Sequence, residues 1–581
     1  MAAASRELVE LVDRDPDSPA YGCFSYPYWR SKSVDYANAR CQEASYSLAL
    51  LWKNDYPETD CRDKLELREL AEAGMLFWAG SQHPDGSFDE WYRSEHGFAA
   101  TAFSTFALSR AFLILQEGLS ERSQRTLVRA LERAGGWLAR HNDLEKINHQ
   151  AVAAAALFSL AEVLGREEYS AEAARKTGSV LSRQKEEGWF PELGGVDTGY
   201  SFLTVEYLAC SYLSQPTAEL RKGLSRGLEF LSCFVHPDLT TGREYNLCGN
   251  SYVSLLAAAI MAEFSPPARG LLREGLRRGN PLRQLAQDDL SRTYHLYNGL
   301  RTYDLLKEKP ENLTGEVLPL PFLRPPYRRF FPEAGLLSVK TENYYAVAAG
   351  HSGGLLKVYP LPPAGHPGVS SCRDAGYSLE LKNGKTAGSF RGPHKDYLSW
   401  DGAGRLEIGS RFRPGNYFFP CPAARLLLRL FSSIPLGYLA VKKGVDHLRR
   451  KKNSSLQLQA VPGKETGGRL KREIFFAEEG VRVVDLITDL PPGDGQGPTV
   501  ELSRQADGLT VWRAGEWESG LIRAHPGYPR RAVLEKIIIP GPEGIVIEWT
   551  PAEKPDKLPV GDGGRAGGKA SKGHDAGLGK R

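Results

Sequence analysis

Gln82-His-Pro-Asp-Gly-Ser-Phe88 and Gln184-Lys-Glu-Glu-Gly-Trp-Phe190 share the pattern Gln-x-x-x-Gly-x-Phe, and each closes an apolar stretch of helical period. His236-Pro-Asp-Leu-Thr-Thr-Gly242 is a looser third copy. A glycine past the end of a helix supplies the left-handed turn that stops it, and the aromatic beyond it can pack back on the helix pair. Acidic or aromatic residues follow the first two copies (Asp89-Glu90-Trp91 and Pro191-Glu192), and then another amphipathic segment begins. A repeat of this kind is one helical hairpin, and stacked hairpins bury a common core.

Working outward, apolar residues recur at i, i+3, i+4 and i+7 in Phe98–Leu115, Leu127–Arg140, Gln150–Leu164 and Ala171–Arg183. The spacing predicts an N-terminal α/α toroid, an incomplete helical-hairpin barrel, over 21–308, preceded by an N-terminal extension over 1–20. An irregular helical bundle is the alternative. A linker is expected over 309–334, within which the proline- and aromatic-rich Val317–Pro332 reads as linker or first edge strand. Strand-like runs follow at Gly335–Lys340, Tyr344–Ala349, Leu355–Tyr359, Tyr377–Leu381, Arg472–Phe476, Val481–Ile487 and Ile537–Trp549, predicting an antiparallel β-sandwich over 335–550. The chain thus reads as α+β multidomain. Residues 551–581, with eight glycines in the last 21 positions, are expected to be a disordered tail.

The 581 residues are 41% apolar and 25% charged, a soluble globular balance. Lys and Arg (74) nearly cancel Asp and Glu (70), which excludes the basic footprint of a nucleic-acid binder. The charge is uneven, since 411–452 holds ten Lys/Arg against the single acid Asp446. This basic helical insert also carries Arg425-Leu-Leu-Leu-Arg-Leu-Phe431. It reads either as a peripheral contact with an anionic membrane surface or as a core-covering helix with a solvated basic end.

The longest charge-free apolar stretches, around Ala151–Ala161 and Leu430–Val441, fall short of the ~20 residues of a bilayer-spanning helix. The start lacks the pattern of a secretion signal. The eight cysteines form no CxxC pair. A cytoplasmic location with reduced thiols is the expectation, with a position peripheral to the inner membrane as its variant. The histidines have no i, i+4 partner, so no cofactor is expected, while a structural divalent metal in the β-domain stays open without a nameable ligand set.

Ile147-Asn148-His149-Gln150 opens an alanine-rich helix, where the polar residues either cap it or do chemistry. Gly188-Trp-Phe-Pro-Glu-Leu-Gly-Gly-Val-Asp197-Thr-Gly-Tyr200 leads into the next helix, with Asp197 at a cap position and Tyr200 at the helix start. In a toroid such helix mouths surround the central cleft. Tyr200 reads either as a cleft phenol or as an aromatic sealing the helix pair.

The order Asn148-His149, Gly188-Trp-Phe-Pro-Glu192, Asp197-x-Gly-Tyr200 resembles the heparinase II/III-like (alginate-lyase-like) polysaccharide lyase superfamily. Tyr26-Pro-Tyr-Trp-Arg30, Asn38-Ala-Arg40-Cys-Gln-Glu43, Asp85-Gly-Ser-Phe-Asp-Glu-Trp91 with Glu95-His96, Gly353-Gly354-x-x-Lys357 and Lys471-Arg-Glu-Ile474 are similar to bacterial members, from about residue 20 to 550. The resemblance implies an α/α toroid followed by a β-sandwich, an anionic uronate-containing polysaccharide as partner, and β-elimination. It makes Tyr200 base and/or acid, His149 a second proton-transfer group or neutraliser, and Asn148 a neutraliser of the uronate carboxylate.

Candidate substrate-binding residues are Glu90, Trp91, Glu95, His96, Arg243, Tyr245 and His351. Glu95 can equally complement a helix end, and a lone loop histidine such as His351 is often a bystander. The third turn departs from the pattern of the resemblance: Cys248-Gly249-Asn250 stands where another arginine is expected. Two other functions stay open, namely a non-catalytic or differently catalytic glycan-handling protein of surface-polysaccharide biosynthesis, and a toroid glycosidase needing a carboxylate pair.

Overall fold

A computed structural model describes residues 2–57, 64–192, 195–242, 244–245, 251–279, 288–361, 371–380, 386–389, 397–414, 426–427, 429–431, 468–489, 499–501, 509–512, 518–523, 532–541 and 544–551. Two helices open the chain, α1 (Ala2–Glu10) and α2 (Tyr26–Trp29). Inner and outer helices then alternate: α3 (Ala44–Lys53), α4 (Lys64–Ser81), α5 (Phe98–Leu115), α6 (Glu121–Arg140), α7 (Ile147–Leu164), α8 (Glu167–Leu181), α9 (Thr198–Ser214), α10 (Ala218–Ser232), α11 (Leu255–Met261), α12 (Pro266–Arg278) and α13 (Asp289–Glu308). Each of α3, α5, α7, α9, α11 and α13 packs on the next, and α13 returns to α3, so the inner layer closes an α/α toroid.

Composition sorts the layers. The inner helices α5 and α7 are apolar nearly all round and buried on every side, whereas α6 and α10 keep charge outward. Phe98–Gly118 and Ile147–Leu164 are long and apolar enough to cross a bilayer, but 72% of each apolar window is buried within the ring. The ring has a filled centre. Tyr46 and Phe103 pack on the Tyr297 and Tyr207 rings at 5.0 and 5.3 Å, and the Tyr207 and Tyr297 hydroxyls meet at 2.9 Å.

The repeated turn is built the same way twice. The Gln82 side-chain amide donates to the carbonyls of Gly86 (3.0 Å) and of Ala130 on α6 (2.9 Å); that of Gln184 donates to Gly188 (2.8 Å) and to Gly223 on α10 (2.9 Å). Both glycines have positive φ, 99° and 104°, and each lies against the backbone of the following outer helix. In the third copy the left-handed position falls to Leu239 (φ 59°), three residues after His236, and not to Gly242. A Cβ on Gly188 would stand 2.4 Å from the Arg226 carbonyl oxygen. Gly188→Ala is therefore expected to cost about 3 kcal/mol, combining left-handed strain with a backbone overlap. A fall in the urea midpoint of the helical transition checks this, and an unchanged midpoint refutes it.

The strands form two packed sheets. One runs from Tyr327–Phe331 through Leu336–Lys340, Tyr344–Ala349 and Leu355–Pro360 to Cys372–Glu380, antiparallel throughout. Glu518–Arg523 then adds to Cys372–Glu380 in parallel, a pairing the alternation pattern does not announce. The other sheet is antiparallel and includes Arg405–Arg411, Arg469–Phe476 and Val481–Thr488. The run Ile537–Trp549 is two strands, Ala532–Gly541 and Gly544–Pro551, folded on each other with Gly541 opposite Gly544.

All six residues of Tyr344–Ala349 are buried because the first sheet is covered on both faces. Tyr345, Val347 and Ala349 join the core of the toroid, while Tyr344, Ala346 and Ala348 pack between the sheets. The Tyr345 hydroxyl donates to the Cys233 carbonyl at 2.5 Å, and Glu187 accepts the N–H groups of Glu333 and Ala334 at 2.8 Å, fastening the sheet to the ring. Most of the basic insert 411–452, and the tail beyond 551, lie outside the described residues. Within the insert, Leu426, Leu427, Leu430 and Phe431 are exposed. Cys23, Cys41, Cys210 and Cys233 are buried free thiols, and Cys372 is buried as well.

Candidate active site

Each inner helix is followed by an outer helix that runs back, so the inner helices start at one end of the ring. Residues from those starts touch. The Arg40 guanidinium, just before α3, lies 3.9 Å from the Phe103 ring centre on α5 and 4.0 Å from that of Tyr294 on α13. Tyr294 accepts from the Asn38 side chain at 2.7 Å, and His295 stacks on Tyr252, ahead of α11, at 4.8 Å. The Thr241 hydroxyl donates to Thr198, the first residue of α9, at 2.7 Å. Helix N-termini gathered at one mouth add partial positive charge there.

Arg40 is a largely shielded cation at the mouth. Burial alone would lower its pKa, but Glu43 (2.8 Å) and Glu90 (3.6 Å) hold it well above its usual value. Burial pushes Glu43 up to about 7 against the pull of Arg40. Deeper in, Glu206 accepts from Tyr252 (2.6 Å), Ser254 (2.5 Å) and Asn298 (3.0 Å), and burial raises its pKa. Burial, with Arg40 nearby, lowers His295 to about 3, and its Nδ1 has no hydrogen-bond partner.

Asn148 and His149 open α7. The Asn148 amide donates to Glu192 at 2.6 Å, while its buried carbonyl oxygen has no partner. Glu192 is held well above its usual range by burial and by the neighbouring Asp197. His149 bonds Asp143 through Nδ1 at 2.8 Å. Burial lowers the His149 pKa, with Asp143 opposing, while the His149 bond holds Asp143 low in spite of burial. An ionised Asp143 makes Nδ1 the proton-bearing nitrogen and leaves a lone pair on Nε2.

Tyr200 sits in the first turn of α9, whose start Asp197 caps by accepting the Tyr200 N–H at 2.9 Å. Burial pushes Asp197 up to about 7, partly offset by the N–H groups of Tyr200 and Gly199. The folded value exceeds the unfolded value of about 3.9, so this group's contribution to stability is full below about pH 4 and is lost as pH rises through about 7. Asp197→Asn keeps a capping oxygen and cannot titrate. The urea midpoint is expected to fall less between about pH 5 and 8 in the variant than in the wild type, and equal slopes refute this.

The other candidates are distributed as follows. Glu90 is at the mouth beside Arg40. Trp91 is 64% exposed on the rim. Glu95 turns into its own loop and accepts the N–H groups of Glu90 and Trp91 at 2.9 and 2.8 Å. His96, at φ 52°, stacks on His83 at 4.1 Å and bonds Asp85 and Ser87, each at 2.8 Å. Tyr245 is buried, with its hydroxyl bonded to His236 Nε2 at 2.7 Å. His351 lies in the turn Gly350–Ser352 with its ring against Gly335. Arg243 lies outside the described residues.

The mouth also gathers residues that the sequence did not single out as site residues: Arg40, Tyr252, Tyr294 and His295. Among the described residues, no three His, Cys, Asp or Glu side chains are grouped to hold a metal ion.

Residues 18–191 match the Ulvan lyase N-terminal domain family. No curated protein sequence matches the chain. The fold is that of the Streptomyces coelicolor A3 chondroitin AC lyase, solved in complex with chondroitin sulphate, at a TM-score of 0.51 and 11% identity over 94% of this chain and 75% of that one. A tyrosine-to-alanine variant of that lyase superposes at 0.50 with 12% identity and the same coverage. Heparinase III is a more distant match, at 0.40 and 9% identity over 95% of this chain and 87% of its own.

Proposed function

We propose that this protein is a polysaccharide lyase that cleaves an anionic, uronate-containing polysaccharide by β-elimination. The observation that carries the reading is that α7, which opens with Asn148-His149, and α9, which carries Tyr200 in its first turn, are packed neighbours in the inner layer. The matched Ulvan lyase domain over 18–191 and the fold shared with the chondroitin lyase support it.

The chemistry asks for three things. The uronate carboxylate must be neutralised, the C5 proton removed, and the leaving oxygen protonated. The C5–H electron pair becomes the C4–C5 double bond, and the C4–O bond breaks with its pair passing to the oxygen, which takes a proton. Asn148, one of whose side-chain N–H groups is held by Glu192, donates the other to the carboxylate and steadies the enolate-like charge. His149 offers the Nε2 lone pair, its other nitrogen fixed by Asp143. Tyr200 hands the proton to the leaving oxygen, and the positive start of α9 favours the phenolate that results. The mouth's Arg40 and its helix N-termini suit an acidic chain.

The test is the far-ultraviolet absorbance of the new double bond, measured on alginate, chondroitin sulphate, ulvan and desulphated heparin. A rise on at least one of them is expected. A new reducing end without that absorbance would instead indicate glycoside hydrolysis, and binding without either would indicate a glycan-handling protein.

A further inference from the structure

We propose that Lys357 and Arg373 form an anion subsite on the sheet wall of the cleft, which takes a second acidic group, carboxylate or sulfate, of the bound polysaccharide; this rests on the lyase reading above. Strand alternation sets the direction of Lys357. Leu356 and Val358 pack between the sheets, whereas Leu355 and Tyr359 join the toroid core, so Lys357 faces the toroid with them. Arg373 is its cross-strand partner. Like charges directly opposite one another weaken a sheet, and such a pair needs an anion between them.

That anion is supplied from the ring. Glu244 Oε1 lies 3.1 Å from Lys357 Nζ and 3.8 Å from an Arg373 guanidinium nitrogen. Two cations therefore converge on one carboxylate oxygen, which meets them without hydrogen-bond geometry. The side chains are 13% and 22% exposed, shielded enough to strengthen an ion pair and open enough to be reached. Short chain segments connect them to the candidate chemistry. Thr241, three residues before Glu244, bonds Thr198 at the start of α9, two residues before Tyr200. Ser352, next to His351, bonds the Tyr245 carbonyl at 2.8 Å. Glu244 thus stands where an acidic group of a glycan lying along the wall would stand, as an internal competitor for it.

A purely structural ion pair and a competed subsite differ in sign. If Glu244 only docks its turn, Glu244→Gln loosens glycan binding or leaves it unchanged. If it occupies the subsite, Glu244→Gln tightens binding. The full chain is titrated by calorimetry with chondroitin sulphate, desulphated chondroitin (carboxylate only) and dextran sulphate (sulfate only). Glu244→Gln is expected to bind about fivefold tighter, and Lys357→Met and Arg373→Gln each about tenfold weaker, at a temperature where circular dichroism shows each variant folded. Arg373→Gln carries the test if Lys357→Met fails to fold. The effect following desulphated chondroitin assigns a carboxylate, and the effect following dextran sulphate assigns a sulfate. Folded variants that bind as wild type does overturn the subsite alone if wild type still forms the double bond. Neither binding nor a double bond across the polyanions sinks the lyase reading with it.

Discussion

Replacing Tyr200 by phenylalanine is expected to lower kcat for β-elimination by about 10²–10⁴-fold, the range that a positioned proton-transfer group contributes, while leaving KM within about twofold. Tyr200 lies in the first turn of α9, with its own N–H bonded to Asp197 and its carbonyl accepting from Thr204 at 3.1 Å. Phenylalanine keeps those backbone bonds and the ring that packs on the toroid core. The variant therefore separates loss of the phenolic proton from loss of the fold.

A free phenol near pKa ~10 is a weak base at neutral pH, so its part is that of the acid that delivers a proton to the leaving oxygen. Leaving-group dependence provides the check. Substrates that leave as better anions need less protonation, and the Tyr200→Phe deficit should shrink for them. A variant with wild-type kcat on every substrate removes Tyr200 from the chemistry, and the base role of His149 then has to be tested alone with His149→Ala.

The sequence carried the toroid because its repeat is local. Gln82 and Gln184 reach carbonyls four residues on, and glycines stand where left-handed turns need them. The third copy was legible only in part, because buried packing holds Leu239 in a left-handed turn that no glycine marks. Strand Tyr344–Ala349 was visible as an apolar run, but not its two-sided burial, which depends on the ring beneath it. At the site, Asn148-His149 and Tyr200 announce themselves as polar residues at apolar helix starts. Their partners do not. Glu192 under Asn148, His236 under Tyr245 and the Arg40 stack on Phe103 and Tyr294 join distant parts of the chain, and no short spacing encodes them. Glu95 and His96 look like cleft residues in sequence, but the positive φ of Ser94 and His96 folds their side chains into the loop itself.

Replacing Arg472 by methionine is expected to destabilise the β-sandwich by about 3–5 kcal/mol, which follows from how its charge is balanced. Arg472 is fully buried between the sheets, and its Nε and one terminal nitrogen grip Asp485 at 2.7 and 2.8 Å. Its other terminal nitrogen donates to the Gly354 carbonyl at 3.0 Å, and the nitrogen that grips Asp485 also lies 3.3 Å from Asp374. Lys536 bonds Asp374 at 2.8 Å, and Tyr377 donates to Asp485 at 2.7 Å. Two cations thus balance two carboxylates. Removing Arg472 leaves Asp485 facing one lysine at 3.4 Å with no solvent to replace the lost donors.

Asp374 gives the pH signature of the same cluster. Arg472 and Lys536 hold it below the usual carboxylate range despite burial. Its contribution to stability is present above the unfolded pKa of about 3.9 and is lost as pH falls below that value. With only Lys536 left, Asp374 is held less low, so the loss of stability below about pH 3.9 should be smaller in Arg472→Met than in the wild type. Urea unfolding followed by the near-ultraviolet signal of the sandwich measures both effects. The double replacement Arg472→Met with Asp485→Leu should recover most of the loss, since the penalty comes from the unpaired charge more than from the missing attraction. A double variant as unstable as the single one would place the cost in packing around Arg472 instead.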